Sequence, residues 1–286
     1  PAGSILSVDA ADLAGLGRAH IVLVEYRGGG EVVRSSVLEY AGGRLTAVYQ
    51  SSGEYLRAVP VGGQMWLLAQ RVGETEPFSA TVRRVVWQDG RYADGDSLRL
   101  PAGVTVYGLA MMGLTGSPEP EVVAVTPEDR LAAWTARGRR LWMSADPFGG
   151  APITFAFTPA REQREQDAII GRILGRVVSI PEASEGPEVL AFENLVPVGG
   201  QFRTLLPRVA PLAFTQGRIH RMRWKDGAFT RVWQSRETEG YITDFALGDL
   251  DGDGIPEVVV AVMPRGLNLD TTLGRPKAHL VFYELP

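Results

Sequence analysis

One unit recurs along this chain at nearly constant length, and it limits the fold more than any other feature. Tyr241-ITDFALGDLDGDGIPEVVVAV, ending at Val262, overlays Leu109-AMMGLTGSPEPEVVAV after a shift of 136 positions, with Pro120-Glu121 on Pro256-Glu257. A shift of 237 positions lays Ile5-LSVDAADLAGLGRAHIVLVE over the same unit, with Asp12 on Asp249. Ile173-LGRVVSIPEASEGPEVLAF is a fainter copy that keeps Pro187-Glu188 in that place. Each copy reads as a short apolar strand, a turn-rich loop and a β-branched strand. A second element follows: Trp224-KDGAFTRVW matches Tyr40-AGGRLTAVY and Trp134-TARGRRLW, and Trp87-QDGRY shares its first half. Two strands meeting at a Gly-containing turn form a hairpin. Val59-PVGGQ and Val196-PVGGQ lead, at one offset of 137, to Trp87 and Trp224.

Joined, the two elements make a four-strand unit of about 45 to 50 residues, a period that marks propeller blades. Five copies begin near Ile5, Tyr55, Val104, Ile173 and Tyr241. The expected fold is all-β: a β-propeller of about five or more four-stranded antiparallel blades, forming a single domain over 1–286. The blades are expected over 4–52, 54–101, 104–150, 168–236 and 241–286, with a long insertion at 151–167. The competing fold is a β-sandwich with chance similarity, and constant offsets over dozens of residues argue against it. A degenerate sixth blade around 151–172 stays open, because Arg161-EQREQDAII there also reads as a short helix or exposed loop. The last blade stops at its third strand, Ala278-HLVFYEL, so upstream sequence closes it, or its edge stays open, or a partner fills it.

Composition excludes several classes. With 45% hydrophobic residues over 286 positions, the chain can build a core. It has no cysteine, hence no disulfide or thiolate metal site. No apolar run reaches the roughly 18 residues of a membrane-spanning helix. A net charge of -4 gives no reason to expect nucleic acid or anionic lipid as partner. The first residue is Pro1 and not methionine, so any export signal, lipid anchor or extra domain is expected upstream.

Chemistry concentrates in one loop. Asp249, Asp251, Asp253 and Glu257 place carboxylates at positions 1, 3, 5 and 9, with the carbonyl of Ile255 available at position 7. Ca²⁺ takes 6 to 8 hard oxygens, and alternate residues of a tight loop can wrap it. Gly252 and Gly254 permit the sharp backbone, and Leu250 is expected to face the core. An EF-hand would need a glutamate at position 12, where Val260 stands inside a strand. The competing reading is an Asp/Gly turn held by its own hydrogen bonds. In the sister loops the same positions read Gly113, Thr115, Ser117, Glu121; Asp12, Ala14, Leu16, His20; and Ile180, Glu182, Ser184, Glu188. None keeps three leading carboxylates, so one Ca²⁺ site is expected, with a structural role.

A DxDxDG…PE loop between strands, repeated once per blade, resembles the FG-GAP/VCBS repeats of bacterial envelope and secreted propellers and of integrin α-subunit heads. The resemblance is sharpest over 241–262 and extends over 82–149 and 168–262. Trp66-LLAQRVGETEPF, Arg139-RLWMSADPFGG and Ile170-GRIL also look like the propeller of bacterial VCBS-repeat proteins. It implies calcium at Asp249, Asp251, Asp253 and Glu257, and a periplasmic, outer-membrane-surface or extracellular location. It supplies no reaction.

No catalytic constellation stands out. His20, His220 and His279 map to strands of three different blades, and no G-x-S-x-G elbow, P-loop or dinucleotide fingerprint occurs. Gly28-Gly29-Gly30 reads as a hairpin turn, and Arg139-Arg140 and Arg218 to Arg223 as solvated strand faces or hairpin ends. The repeat-matched aromatics read as core or inter-blade packing. The expected role is a non-catalytic calcium-binding scaffold or protein-binding module. The alternatives are a carbohydrate-active enzyme or polysaccharide-binding propeller, and a fragment or subunit of a larger envelope assembly.

Overall fold

The computed structural model describes residues 4–27, 32–150, 153–157, 169–180, 185–196, 214–264 and 277–285. Twenty-one strands and no helix fill these residues. The first sheet is β1 (Ser4–Ala11), β2 (His20–Arg27), β3 (Val32–Ala41) and β4 (Arg44–Ser52), in that order. The second is β5 (Glu54–Val61), β6 (Gln64–Arg71), β7 (Thr81–Gln88) and β8 (Arg91–Arg99). The third runs from β9 (Leu109–Met112) through β10 (Glu121–Val125) and β11 (Arg130–Trp134) to β12 (Arg140–Pro147). A two-stranded sheet follows, β13 (Ile153–Phe157) with β14 (Ile169–Ile173). The next sheet is β15 (Val177–Ile180), β16 (Glu188–Leu195), β17 (Gln216–Lys225) and β18 (Ala228–Gln234). The last has three strands, β19 (Tyr241–Gly248), β20 (Glu257–Met263) and β21 (His279–Glu284).

The fold is therefore all-β, a five-bladed propeller of antiparallel meanders whose last blade has three described strands. Among the described residues, a two-stranded sheet and not a four-stranded blade occupies the stretch before β15. The helix or loop expected at Arg161 lies mostly outside the described residues, and its last two positions, Ile169 and Ile170, open β14. Gly28-Gly29-Gly30 also lies outside them.

Local sequence explains the meanders. The hairpins β3–β4, β5–β6, β7–β8 and β17–β18 turn on two residues: Gly42-Gly43, Gly62-Gly63, Asp89-Gly90 and Asp226-Gly227. Both central residues have positive φ, from +51° at Asp89 to +83° at Gly227. Such turns match the right-handed twist of the flanking strands. Burial falls from the second strand of a blade to the fourth. β10 is buried throughout, whereas only one residue of β12 is. Continuous apolar runs inside and alternation outside are the expected signatures of two-sided and one-sided burial.

Contacts group the chain into two compact units. One is Pro1–Val122, Trp134–Arg139 and Thr154–Gly171, and the other is Val123–Ala133, Arg140–Ile153 and Arg172–Pro286. In the first, the fully buried ring of Tyr55 stacks 4.5 Å from Phe78 and lies 5.9 Å from Tyr107 and 6.1 Å from Phe155. Arg83 on β7 grips Glu54, the first residue of β5, through Nε (3.1 Å) and Nη2 (2.6 Å), and reaches the Tyr49 hydroxyl on β4 at 3.0 Å. A guanidinium fork thus ties two sheets. In the second unit, Ile180, Leu190, Phe192 and Ile219 pack against Ile242, Phe245, Val258, Val260 and Val262. Asn194, wholly buried on β16, donates through Nδ2 to the carbonyls of Gly150 (3.0 Å) and Ile242 (2.8 Å) and accepts from the Ile242 amide (2.7 Å). One side chain here supplies hydrogen bonds that neighbouring backbones would otherwise lack. Aromatics bridge sheets as expected: Trp142 meets Phe229 at 5.5 Å, and Trp233 meets Tyr283 at 6.2 Å. Tyr40 is the exception, at 66% exposure.

Two tests follow from these anchors. Asn194→Ala orphans buried backbone groups and should cost about 2–4 kcal/mol in urea unfolding. Burial alone would raise the Glu54 carboxyl, but the hydrogen bonds from Arg83 and Ser51, with the charges of Arg83 and Arg71, hold it below its usual value of 4.5. Its stabilisation is therefore complete above that value and lost as pH falls through the lowered one. Glu54→Gln should be less stable at neutral pH and lose part of the decline that urea midpoints of the wild type show between about pH 5 and 3.

Candidate metal centre

The loop joining β19 to β20 is closed by its own carboxylates. Asp249 Oδ1 accepts from the Gly252 amide at 2.8 Å and Oδ2 from the Gly254 amide at 3.1 Å. Asp251 Oδ1 accepts from the Asp253 amide (3.1 Å), and Asp253 Oδ1 from the Ile255 amide (2.7 Å). Glu257, the first residue of β20, turns back under the loop so that Oε2 accepts from the Leu250 amide at 2.7 Å. Gly252 and Gly254 take φ of +81° and +88°, a conformation that side-chain-bearing residues rarely adopt.

This folding converges four acids. One carboxylate oxygen each from Asp249, Asp251, Asp253 and Glu257 lies within 4.8 Å of the others. Oxygens on opposite sides of Ca²⁺ stand about 4.6–5.2 Å apart, twice the usual bond length, so the four carboxylates are close enough together to share one cation of that size. The three aspartates are exposed and Glu257 is buried. Asp251, Asp253 and Glu257 each commit one oxygen to a loop amide, which leaves the other for a cation. The donor set is all oxygen with high negative charge, which suits a hard cation. Leu250 does not face the core: it is 59% exposed, and Ile255 is 50% exposed. The amide of Leu250, and not its side chain, is what the fold uses.

The sister loops keep the closure and lose the ligands. Asp12 accepts from the amides of Leu16 (3.0 Å) and Gly17 (2.7 Å), and these bonds, that from Leu16 foremost, hold its carboxyl below the usual value. Buried Glu121, first residue of β10, accepts from the Leu114 amide at 2.8 Å and from the Thr115 hydroxyl. Glu121 thus repeats the contact that Glu257 makes with Leu250. Ala14, Leu16, Gly113, Thr115 and Ser117 add no carboxylate. Glu182 and Ser184 of the fourth loop lie outside the described residues. Among the described residues, the cluster at 249–257 is the one group of three or more potential metal-binding side chains.

Glu188 departs from the pattern. It is fully buried and accepts from Nε of Arg221 and Nε of Arg223, each at 2.5 Å. These arginines are not solvated strand faces but the partners of a buried carboxylate. Their spacing of two on one strand was the available signal, since it puts both on the same face. Other pairs escaped sequence reasoning altogether: buried Asp9 with Arg57 at 3.3 Å, and buried Arg176 with half-exposed Asp244 at 2.5 Å. The histidines remain apart: His20 on β2 lies beside Trp87 and Tyr92, His220 on β17 lies beside Phe148 and 3.4 Å from Glu193, and His279 on β21 is exposed.

No protein-family model matches the chain, and no curated protein matches its sequence. Glu257→Gln keeps an acceptor for the Leu250 amide while removing a ligand charge. Its unfolding free energy in chelator should stay within about 1 kcal/mol of wild type, while calcium affinity measured by titration calorimetry falls at least about tenfold.

Proposed function

We propose that this chain is a non-catalytic, calcium-binding β-propeller that serves as a protein-binding or scaffold module of the bacterial cell envelope or extracellular space. The observation that carries this reading is the convergence of Asp249, Asp251, Asp253 and Glu257 on a volume of calcium dimensions at the head of β20. The resemblance of the loop and its repeats to FG-GAP/VCBS propellers supports both the ion and the compartment. A rigid frame of short meanders with loops at the blade ends is a common platform for partner binding.

The ion's part is to neutralise four crowded carboxylates and brace the β19–β20 connection. Three charges this close repel unless a cation sits among them. Glu257 would serve two ends at once, with Oε2 on the loop amide and Oε1 on the ion. The remaining coordination is left to Asp249, Asp251, Asp253 and the Ile255 carbonyl.

Thermal and chemical unfolding across a calcium titration tests the proposal. A site near 10⁻⁴ M should add about 2.7 kcal/mol at roughly 10 mM free Ca²⁺. Asp251→Ala should abolish that gain, and Thr115→Ala in the sister loop should leave it intact. Stability that does not respond to calcium in the wild type would reduce the loop to an Asx-closed turn and remove the main support for an exported location.

A further inference from the structure

Three of the second strands in this propeller begin with a buried glutamate: Glu121 opens β10, Glu188 opens β16 and Glu257 opens β20. They stand at matching places of the repeat, each directly after a proline. A carboxylate shut away from water needs a donor or a positive charge at its oxygens. Glu188 has one at each, from the guanidinium groups of Arg221 and Arg223. Glu121 accepts from the Leu114 amide through Oε2 and from the Thr115 hydroxyl through Oε1. Glu257 makes the same first contact, Oε2 with the Leu250 amide, but among the described residues no donor reaches Oε1. What one of its oxygens meets instead, within 4.8 Å, is an oxygen from each of Asp249, Asp251 and Asp253. Thr115 and Asp251 hold the same position of the two loops, 136 residues apart. The leucines beside them differ as well: Leu114 is buried, whereas Leu250 is 59% exposed. The loop of the third sheet is thus held by a side chain in the core and a hydroxyl on its glutamate, and the loop of the last sheet has neither.

We propose that Thr115 is a positioning residue that does for Glu121 what a cation does for Glu257, so that of these two glutamate-closed loops only 249–257 answers to calcium. The part concerning 249–257 rests on the calcium reading above; the part concerning Thr115 stands without it. A hydroxyl donates one hydrogen bond, enough for one carboxylate oxygen, and here the loop itself carries it. Glu121 is therefore met at any calcium concentration, and through Oε2 it keeps its hold on the Leu114 amide. In the last sheet Asp251 stands where that hydroxyl would be, and it brings a second negative charge in place of a donor. Like charges repel across a buried carboxylate, and the repulsion works against the bond between Glu257 and the Leu250 amide until a cation cancels it. Gly113 and Ser117, which match Asp249 and Asp253, complete the exchange: the third loop has no aspartate to neutralise. Calcium then acts as a local control, whose removal loosens the β19–β20 connection and leaves the β9–β10 connection shut.

Amide hydrogen exchange of the whole chain, in excess chelator and in calcium, reads both loops in one sample. The Leu250 amide should exchange at least about fivefold more slowly in calcium, while the Leu114 amide keeps one rate in both media. Thr115→Val, at an exposed position, keeps the shape of the side chain and removes the donor. It should speed exchange at Leu114 about fivefold in either medium and leave Leu250 unchanged. Thr115→Ser, which keeps the hydroxyl, should retain the slow rate at Leu114, a rescue that shape alone would not produce. A Leu114 amide that slows with calcium as Leu250 does overturns the proposal. So does a Thr115→Val protein whose Leu114 amide exchanges at the wild-type rate, or a Thr115→Ser protein that exchanges like Thr115→Val. Calcium that moves neither amide overturns the calcium reading and the response assigned to 249–257, and the two Thr115 variants then decide the part of the hydroxyl.

Discussion

A short antiparallel meander has two faces and no interior of its own, and that lack governs this molecule. Apolar side chains on both faces of β10 or β16 gain their burial only when another sheet or a loop covers them. In the second unit the cover is mutual: Leu190, Phe192 and Ile219 of one sheet meet Ile242, Val258 and Val260 of the next. Packing of this sort sets distance but tolerates sliding. Directional contacts then fix position. Asn194 joins the Gly150 and Ile242 backbones, Arg176 holds Asp244, and in the first unit Arg83 holds Glu54. Each is buried or half-buried, where an unmet polar group is expensive and a met one specifies a single arrangement.

The same accounting shapes the loops. A connection of several residues at the end of a sheet exposes amides that no neighbouring strand can take. Here carboxylates take them: Asp12 from before its loop, Glu121 from behind, and Asp249 with Glu257 from both sides. The candidate cation site is that amide-closing device with Asp251 and Asp253 added. Asp251, Asp253 and Glu257 each close the loop with one oxygen and keep the other for a cation, whereas Asp249 gives both of its oxygens to amides.

Much of this was legible in the sequence, for identifiable reasons. Repeats at constant offset disclosed the blades, because each blade is one self-similar meander. Gly-containing pairs disclosed the hairpins, because type I′ turns require positive φ at both central residues. The acidic cluster was legible because all four of its carboxylates lie within nine positions of sequence. What could not be read depends on distant partners. Arg221 and Arg223 looked solvated until Glu188, 33 and 35 positions earlier, proved to be their buried partner. Asp9 and Arg57 offer no local pattern at all. Leu250 misled because an apolar residue between ligands suggests a core contact, whereas the loop projects it outward and uses only its amide.

The closed loop also bears on how an ion would come and go. Asp249, Asp251, Asp253 and Glu257 all accept hydrogen bonds from loop amides, so the backbone of the loop itself sets where their carboxylates sit. A cation bound there would meet carboxylates already aimed by the backbone, and its coming and going would then be governed by its own shell of water.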